Sequence, residues 1–129
     1  MSRWRAASPY VLAGLLTVTG TTHFVAPRPY AAIVPRRLRP RRFELVYLSG
    51  VAELACAAGL AHRRTRRAAA WSAAALFVAV FPANVTMALD SAGRSPAYRA
   101  AAWARLPVQV PLVGWAVSVA RGSRRARIR

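Results

Sequence analysis

Four residues of this sequence combine a chemically useful side chain with an apolar setting: His23, Glu53, Asn84 and Gln109. Glu53 is the most demanding. It sits in the middle of LSGVAELACAAGL (48–60), a run otherwise built of small and apolar residues. An ionised carboxylate alone in such a medium is untenable, so Glu53 must be protonated or paired. His23 is the one imidazole that could share its proton. A carboxyl–imidazole pair in a dry setting suits either of two tasks. It can hold the polar head of a lipophilic molecule, a quinone or a lipid, or it can move a proton on one, with Glu53 as acid/base. Ser49, four residues before Glu53, falls on the same helical face. Asn84 and Gln109 can only hydrogen-bond. All four could equally act as glue between helices, at ~0.6 kcal/mol each in a membrane.

Other chemistries are excluded by count and spacing. One cysteine, Cys56, allows neither an intramolecular disulfide nor a CxxC redox pair. Two histidines, His23 and His62, lie far apart in sequence and give no metal-ligand spacing or facing haem ligands. No phosphate-cradling or nucleophile-elbow pattern occurs. We expect no metal and no cofactor beyond a bound quinone.

The elements that must position these groups follow from the arginines. All twenty basic residues are arginine, against three acids, for a net charge of +17. Such a charge invites a nucleic-acid reading, but its distribution does not fit one. The arginines fall into five blocks, 3–5, 28–42, 63–67, 94–105 and 121–129, separated by four arginine-free stretches. Segregation of this kind belongs to a multi-pass membrane protein, because charge is costly at the bilayer centre and tolerable beside the headgroups. The arginine-rich loops then meet anionic lipid headgroups. We expect the cell membrane as the location and no nucleic-acid partner.

A span needs about 20 helical residues, and the Ala-rich runs lack strand alternation. The expected fold is all-α, a four-helix transmembrane bundle, with helices at about 9–25, 43–61, 68–89 and 101–120. Residues 1–120 form the one domain, and 121–129 a disordered basic tail. Pro9 suits a helix's first turn. The prolines of PRPYAAIVPRRLRPRR (27–42) forbid a continuous helix there, and HRRTRR (62–67) is a tight turn between antiparallel neighbours. With an even number of spans both termini share a side, which carries eleven arginines against nine. That places the termini in the cytoplasm.

Within this frame, the third helix should kink at Pro82, beside Asn84, and the fourth around Pro107 and Pro111, flanking Gln109. Broken helices beside polar groups line cavities in membrane proteins. We therefore expect His23, Ser49, Glu53, Asn84 and Gln109 to converge on one polar pocket opening toward the first and third loops. Ser49, Gly50, Ala52, Ala57 and Gly59 should let helices approach closely. Trp71, Trp103, Trp115 and Tyr47 read as interface or packing residues. Cys56 reads as a small buried apolar residue.

Five fragments in order, HFVAPRPYAAIVP (23–35), VYLSGVAELACAAGL (46–60), TRRAAAW (65–71), VFPANVTMAL (80–89) and RLPVQVPLVGWA (105–116), resemble the small DoxX-like integral membrane proteins. The resemblance covers nearly the whole chain and implies a four-helix membrane bundle. It carries the motif onto His23, Phe24, Pro27, Tyr30, Pro35, Ser49, Gly50, Glu53, Pro82, Asn84, Leu106, Pro107 and Gln109. Small size and the lack of cofactor ligands favour an accessory subunit, as a homo-oligomer or beside a membrane redox partner. RRLRPRR (36–42) departs from the family's usual neutral first loop, which points to an acidic lipid or partner there.

Overall fold

The structure, a computed structural model, describes residues 3–128, with side chains as far as Ser123. Six α-helices follow in order: α1 (Arg3–Val25), α2 (Pro27–Ala32), α3 (Arg42–Ala61), α4 (Arg66–Ala79), α5 (Phe81–Leu89) and α6 (Pro96–Ile128). Two 3-10 turns, Arg36–Arg41 and Asp90–Gly93, precede α3 and α6. No strand occurs among the described residues, so the all-α expectation holds. Two stretches, Arg36–Ala61 and Arg66–Gly93, are long and apolar enough to cross a membrane.

Helix ends depart from expectation at the prolines. α1 begins at Arg3, and Pro9 lies inside it, buried, rather than at its first turn. The extra turn is held by Trp4, whose ring stacks on Trp115 of α6 at 6.0 Å. The segment expected as one kinked helix over 68–89 is two helices, α4 and α5, meeting at Val80. Val80 N–H still donates to Leu76 O (3.0 Å), and its carbonyl accepts from Ala83 and Asn84 (3.0 and 3.2 Å). Pro82 thus occupies the first turn of α5, where its missing N–H costs nothing.

Pro107 and Pro111 behave differently, since α6 runs through both as one 33-residue helix. Its start, earlier than residue 101, is capped by Ser95, whose Oγ accepts from Tyr98 N–H at 3.2 Å, with Pro96 in the first turn. Its end corrects the expectation of a disordered tail: 121–128 continue the helix. Arg and Ala are strong helix formers, and the one glycine there, Gly122, does not stop it. Arg129 lies outside the described residues.

The main core draws on four helices. Leu12 and Leu16 of α1, Cys56 and Leu60 of α3, Ala70, Ala73 and Phe77 of α4, and Ala116 and Val119 of α6 pack together. Small residues set the helix separations. At Gly59 an added Cβ would lie 2.7 Å from the Cβ of Ala69, so α3 and α4 approach as closely as their backbones allow. The turn His62–Thr65 closes this end. Thr65 Oγ1 donates to Gly59 O (2.8 Å) and Arg66 Nε to Leu60 O (2.8 Å), satisfying carbonyls that the end of α3 would leave open. We expect Thr65→Ala to cost about 1 kcal/mol in a thermal melt of the purified protein. An unchanged midpoint would show that water caps α3 as well as Thr65 does.

Side-chain ties divide the polar segments between two ends. Trp115 Nε1 donates to Ser8 Oγ (2.7 Å), and the Arg66 guanidinium lies 4.9 Å over the Tyr10 ring. These join the start of α1 and the later part of α6 to the 62–65 turn. At the other end Arg39 pairs with Asp90 at 3.8 Å, joining the first loop to the third.

Candidate functional site

His23 stands in the last turn of α1 and Glu53 in the middle of α3, and the two helices meet at glycines. A Cβ on Gly50 would lie 2.7 Å from Phe24 Cε2, 2.9 Å from His23 Cβ and 3.2 Å from Gly20 O. A Cβ on Gly20 would reach Leu54 Cγ at 3.0 Å. That approach brings His23 Nδ1 to 3.0 Å from Glu53 Oε2, with both side chains largely buried. The other carboxylate oxygen, Oε1, accepts from Thr19 Oγ1 at 3.0 Å.

The imidazole is fixed from two sides. Nδ1 lies 2.6 Å from the carbonyl oxygen of Thr19, one turn earlier. A carbonyl only accepts, so Nδ1 carries a hydrogen and points it there. Glu53 Oε2 is consequently close to His23 yet left without a hydrogen bond, and it is buried. On the ring's face lies Tyr30, stacked at 3.9 Å and 14°. Its Oη is 2.6 Å from Thr22 Oγ1.

The short α2 exists to deliver Tyr30. Ala26 breaks from helical backbone, Pro27 restarts it in the first turn, and Ala31 and Val34 pack on Val46 of α3. Pro35 then turns the chain into the 3-10 segment. Phe24 stacks on Tyr47 at 5.6 Å. Ser49, half-buried one turn before Glu53, hydrogen-bonds neither His23 nor Glu53.

Asn84 and Gln109 form a second pair. Asn84 Nδ2, on α5, donates to Gln109 Oε1, on α6, at 3.2 Å. Gln109 is buried, and its Nε2 has no partner. The restart at Val80 sets the rotation of α5 that aims Asn84 at α6. Arg105 Nη1 adds a contact to Met87 Sδ (3.2 Å). The four sequence-selected polar residues thus meet as two pairs, one between α1 and α3 and one between α5 and α6. Among the described residues no hydrogen bond or ion pair joins one pair to the other. Among the same residues, no cluster of three or more His, Cys, Asp or Glu could hold a metal ion.

Sequence reasoning missed Thr19, Thr22 and Gly20. The signal was present: Thr19 and His23 are four apart, on one face of α1, and Gly20 lies between them. Each pair retains one buried polar atom without a partner, an acceptor at Glu53 Oε2 and a donor at Gln109 Nε2. Such atoms are costly unless something completes them.

Comparison with known proteins gives one match. The family model described as "Domain of unknown function (DUF8561)" covers residues 12–120, which include both pairs. No curated protein and no solved structure matches.

Proposed function

We propose that this chain, which belongs to the DUF8561 family of domains of unknown function, is a four-helix membrane domain that binds a lipophilic small molecule with an oxygen-bearing head, a quinone or a lipid. The four spans are α1, α3, α4 continued by α5, and α6, with both termini on the cytoplasmic side. Support for the membrane comes from the outward surface. Val18 and Val25 of α1, Leu48 and Val51 of α3, Val78 and Leu89 of α4–α5, and Val110 of α6 are all more than half exposed. Apolar outer faces on every long helix suit lipid better than water. The pairing of motif residues from distant segments is also in keeping with the resemblance to DoxX-like proteins.

The observation that carries the binding reading is the unpartnered, buried Glu53 Oε2 beside His23. A ligand hydroxyl, that of a lipid or of a quinone in its reduced quinol form, donating to that oxygen would complete the pair. The test is to purify the protein in mild detergent and identify co-purifying apolar molecules by mass spectrometry. We expect wild type to carry one such compound and Glu53→Gln to lose it with helix content unchanged. The amide keeps an acceptor for Thr19 and puts an NH₂ where the ligand's hydroxyl would donate. Wild type without a small molecule, or Glu53→Gln with undiminished occupancy, would sink the idea.

The 3.0 Å approach of His23 Nδ1 to Glu53 Oε2 favours a second reading. The Nδ1 hydrogen is held by Thr19 O, so the atom free to exchange a proton with the bound molecule is Glu53 Oε2, with the imidazole beside its charge. In that case Glu53→Gln would retain the compound and abolish its turnover.

A further inference from the structure

The loop that departs most from the neutral pattern builds a cleft. Its volume is about 380 Å³, and it is lined by Arg28, Arg39 and Arg42 together with Ala31, Ala32 and Phe43. The three arginines come from different elements: α2, the 3-10 turn and the start of α3. Arg42 Nη1 donates to Arg39 O at 3.2 Å, and its guanidinium lies 5.2 Å over the Phe43 ring. Arg39 reaches Asp90 only at 3.8 Å, with both side chains about half exposed, so that pair leaves the guanidinium's donors available. Of the chain's three acids, Glu53 is engaged with His23 and Thr19, leaving Glu44 and Asp90 against six arginines in 28–42.

We propose that this cleft binds the phosphate group of an anionic phospholipid. Guanidinium forks match phosphate oxygens two at a time. Free inorganic phosphate offers the same oxygens but has no use for the rest of the lining. Ala31, Ala32 and Phe43 add an apolar part to the cleft's lining, as the glycerol and first acyl carbons of a lipid require. The site also stands at the polar end of the outward apolar surface, at headgroup level. It therefore rests on the membrane placement proposed above, but not on the His23–Glu53 ligand.

The experiment uses the full chain reconstituted in nanodiscs of phosphatidylcholine with a minor fraction of phosphatidylglycerol. Retained lipid is counted by native mass spectrometry. Arg28→Gln/Arg42→Gln removes two charges from the cleft, while Arg63→Gln/Arg67→Gln removes two from the opposite end. We expect the first variant to lose phosphatidylglycerol retention about tenfold and the second less than threefold, with equal helix content by circular dichroism. Equal losses in both variants, or none in either, would overturn the proposal. Displacement of the lipid by millimolar inorganic phosphate would also overturn it, because the ligand would then be the free anion. A chain that does not enter nanodiscs at all would refute the membrane placement. One that enters and shows no cleft preference would refute the lipid site alone.

Discussion

Gly50→Ala is expected to lower the stability of the detergent-solubilised protein by about 1–3 kcal/mol and to separate His23 from Glu53. The added methyl carbon would stand 2.7 Å from Phe24 Cε2, 2.9 Å from His23 Cβ and 3.2 Å from the backbone oxygen of Gly20. Phe24 is partly exposed and can swing away. His23 Cβ and the Gly20 carbonyl cannot, because α1 holds them, so the helix itself must move. A shift of half an ångström or more would lengthen the 3.0 Å His23–Glu53 contact and weaken the 3.0 Å bond from Thr19. Gly14→Ala is the matched control, since nothing lies within 4 Å of the position its Cβ would take. Alanine there should be neutral or slightly stabilising, as helix propensity favours it. Equal midpoints for Gly50→Ala and wild type would mean that the α1–α3 approach is looser than these distances.

Removing His23 should have a larger effect than removing any residue at the surface. His23→Ala leaves Glu53 buried with only Thr19 as partner and takes away the platform on which Tyr30 stacks. Losing one member of a buried pair costs about 3–5 kcal/mol, much of it the penalty of the stranded partner. The double variant His23→Phe/Glu53→Leu should recover most of that stability. It strands no charge, and Phe restores a ring under Tyr30. Unfolding midpoints of the single and double variants decide the matter. If the double variant were as unstable as His23→Ala, the pair would itself be the main tie between α1 and α3. Stability recovered without recovery of the bound small molecule would mark the pair as retained for binding.

How much of this could be read from the sequence depended on whether a single residue carried the signal. Glu53, His23, Asn84 and Gln109 stood out because each is polar in an apolar stretch, and all four engage a polar partner across a helix boundary. Gly50 and Gly59 were recognisable as sites of close approach for a similar reason. Pairing was harder. Depth along the helices suggested one meeting place for all four, but whether residues meet depends on helix rotation. Rotation at Asn84 is set by the restart at Val80, where a proline two residues later reads equally well as a kink or as a new first turn. The long α6 was hidden for the opposite reason. Pro107 and Pro111 read as kinks and the arginine-rich end as a tail, yet one helix is continuous through the prolines and Gly122. Side-chain bonds that reach across more than a hundred residues, such as Trp115 to Ser8, have no periodic signature at all.

The packing is lopsided along the long axis. Leu12, Leu16, Leu60, Phe77, Val119 and the alanines packed with them form the larger cluster, whereas the His23 and Asn84 end holds the small group of Ala31, Val34 and Val46, with Ala88 and Ala102 buried apart from both. Opening free energies follow the density of buried apolar contact, so they should form a gradient: high around the 62–65 turn and low around α2 and α5. The molecule is then clamped at its base and yielding at its mouth. Its two incomplete polar pairs lie toward the yielding part, where the proposed ligand would have to enter while the base keeps the helices in register.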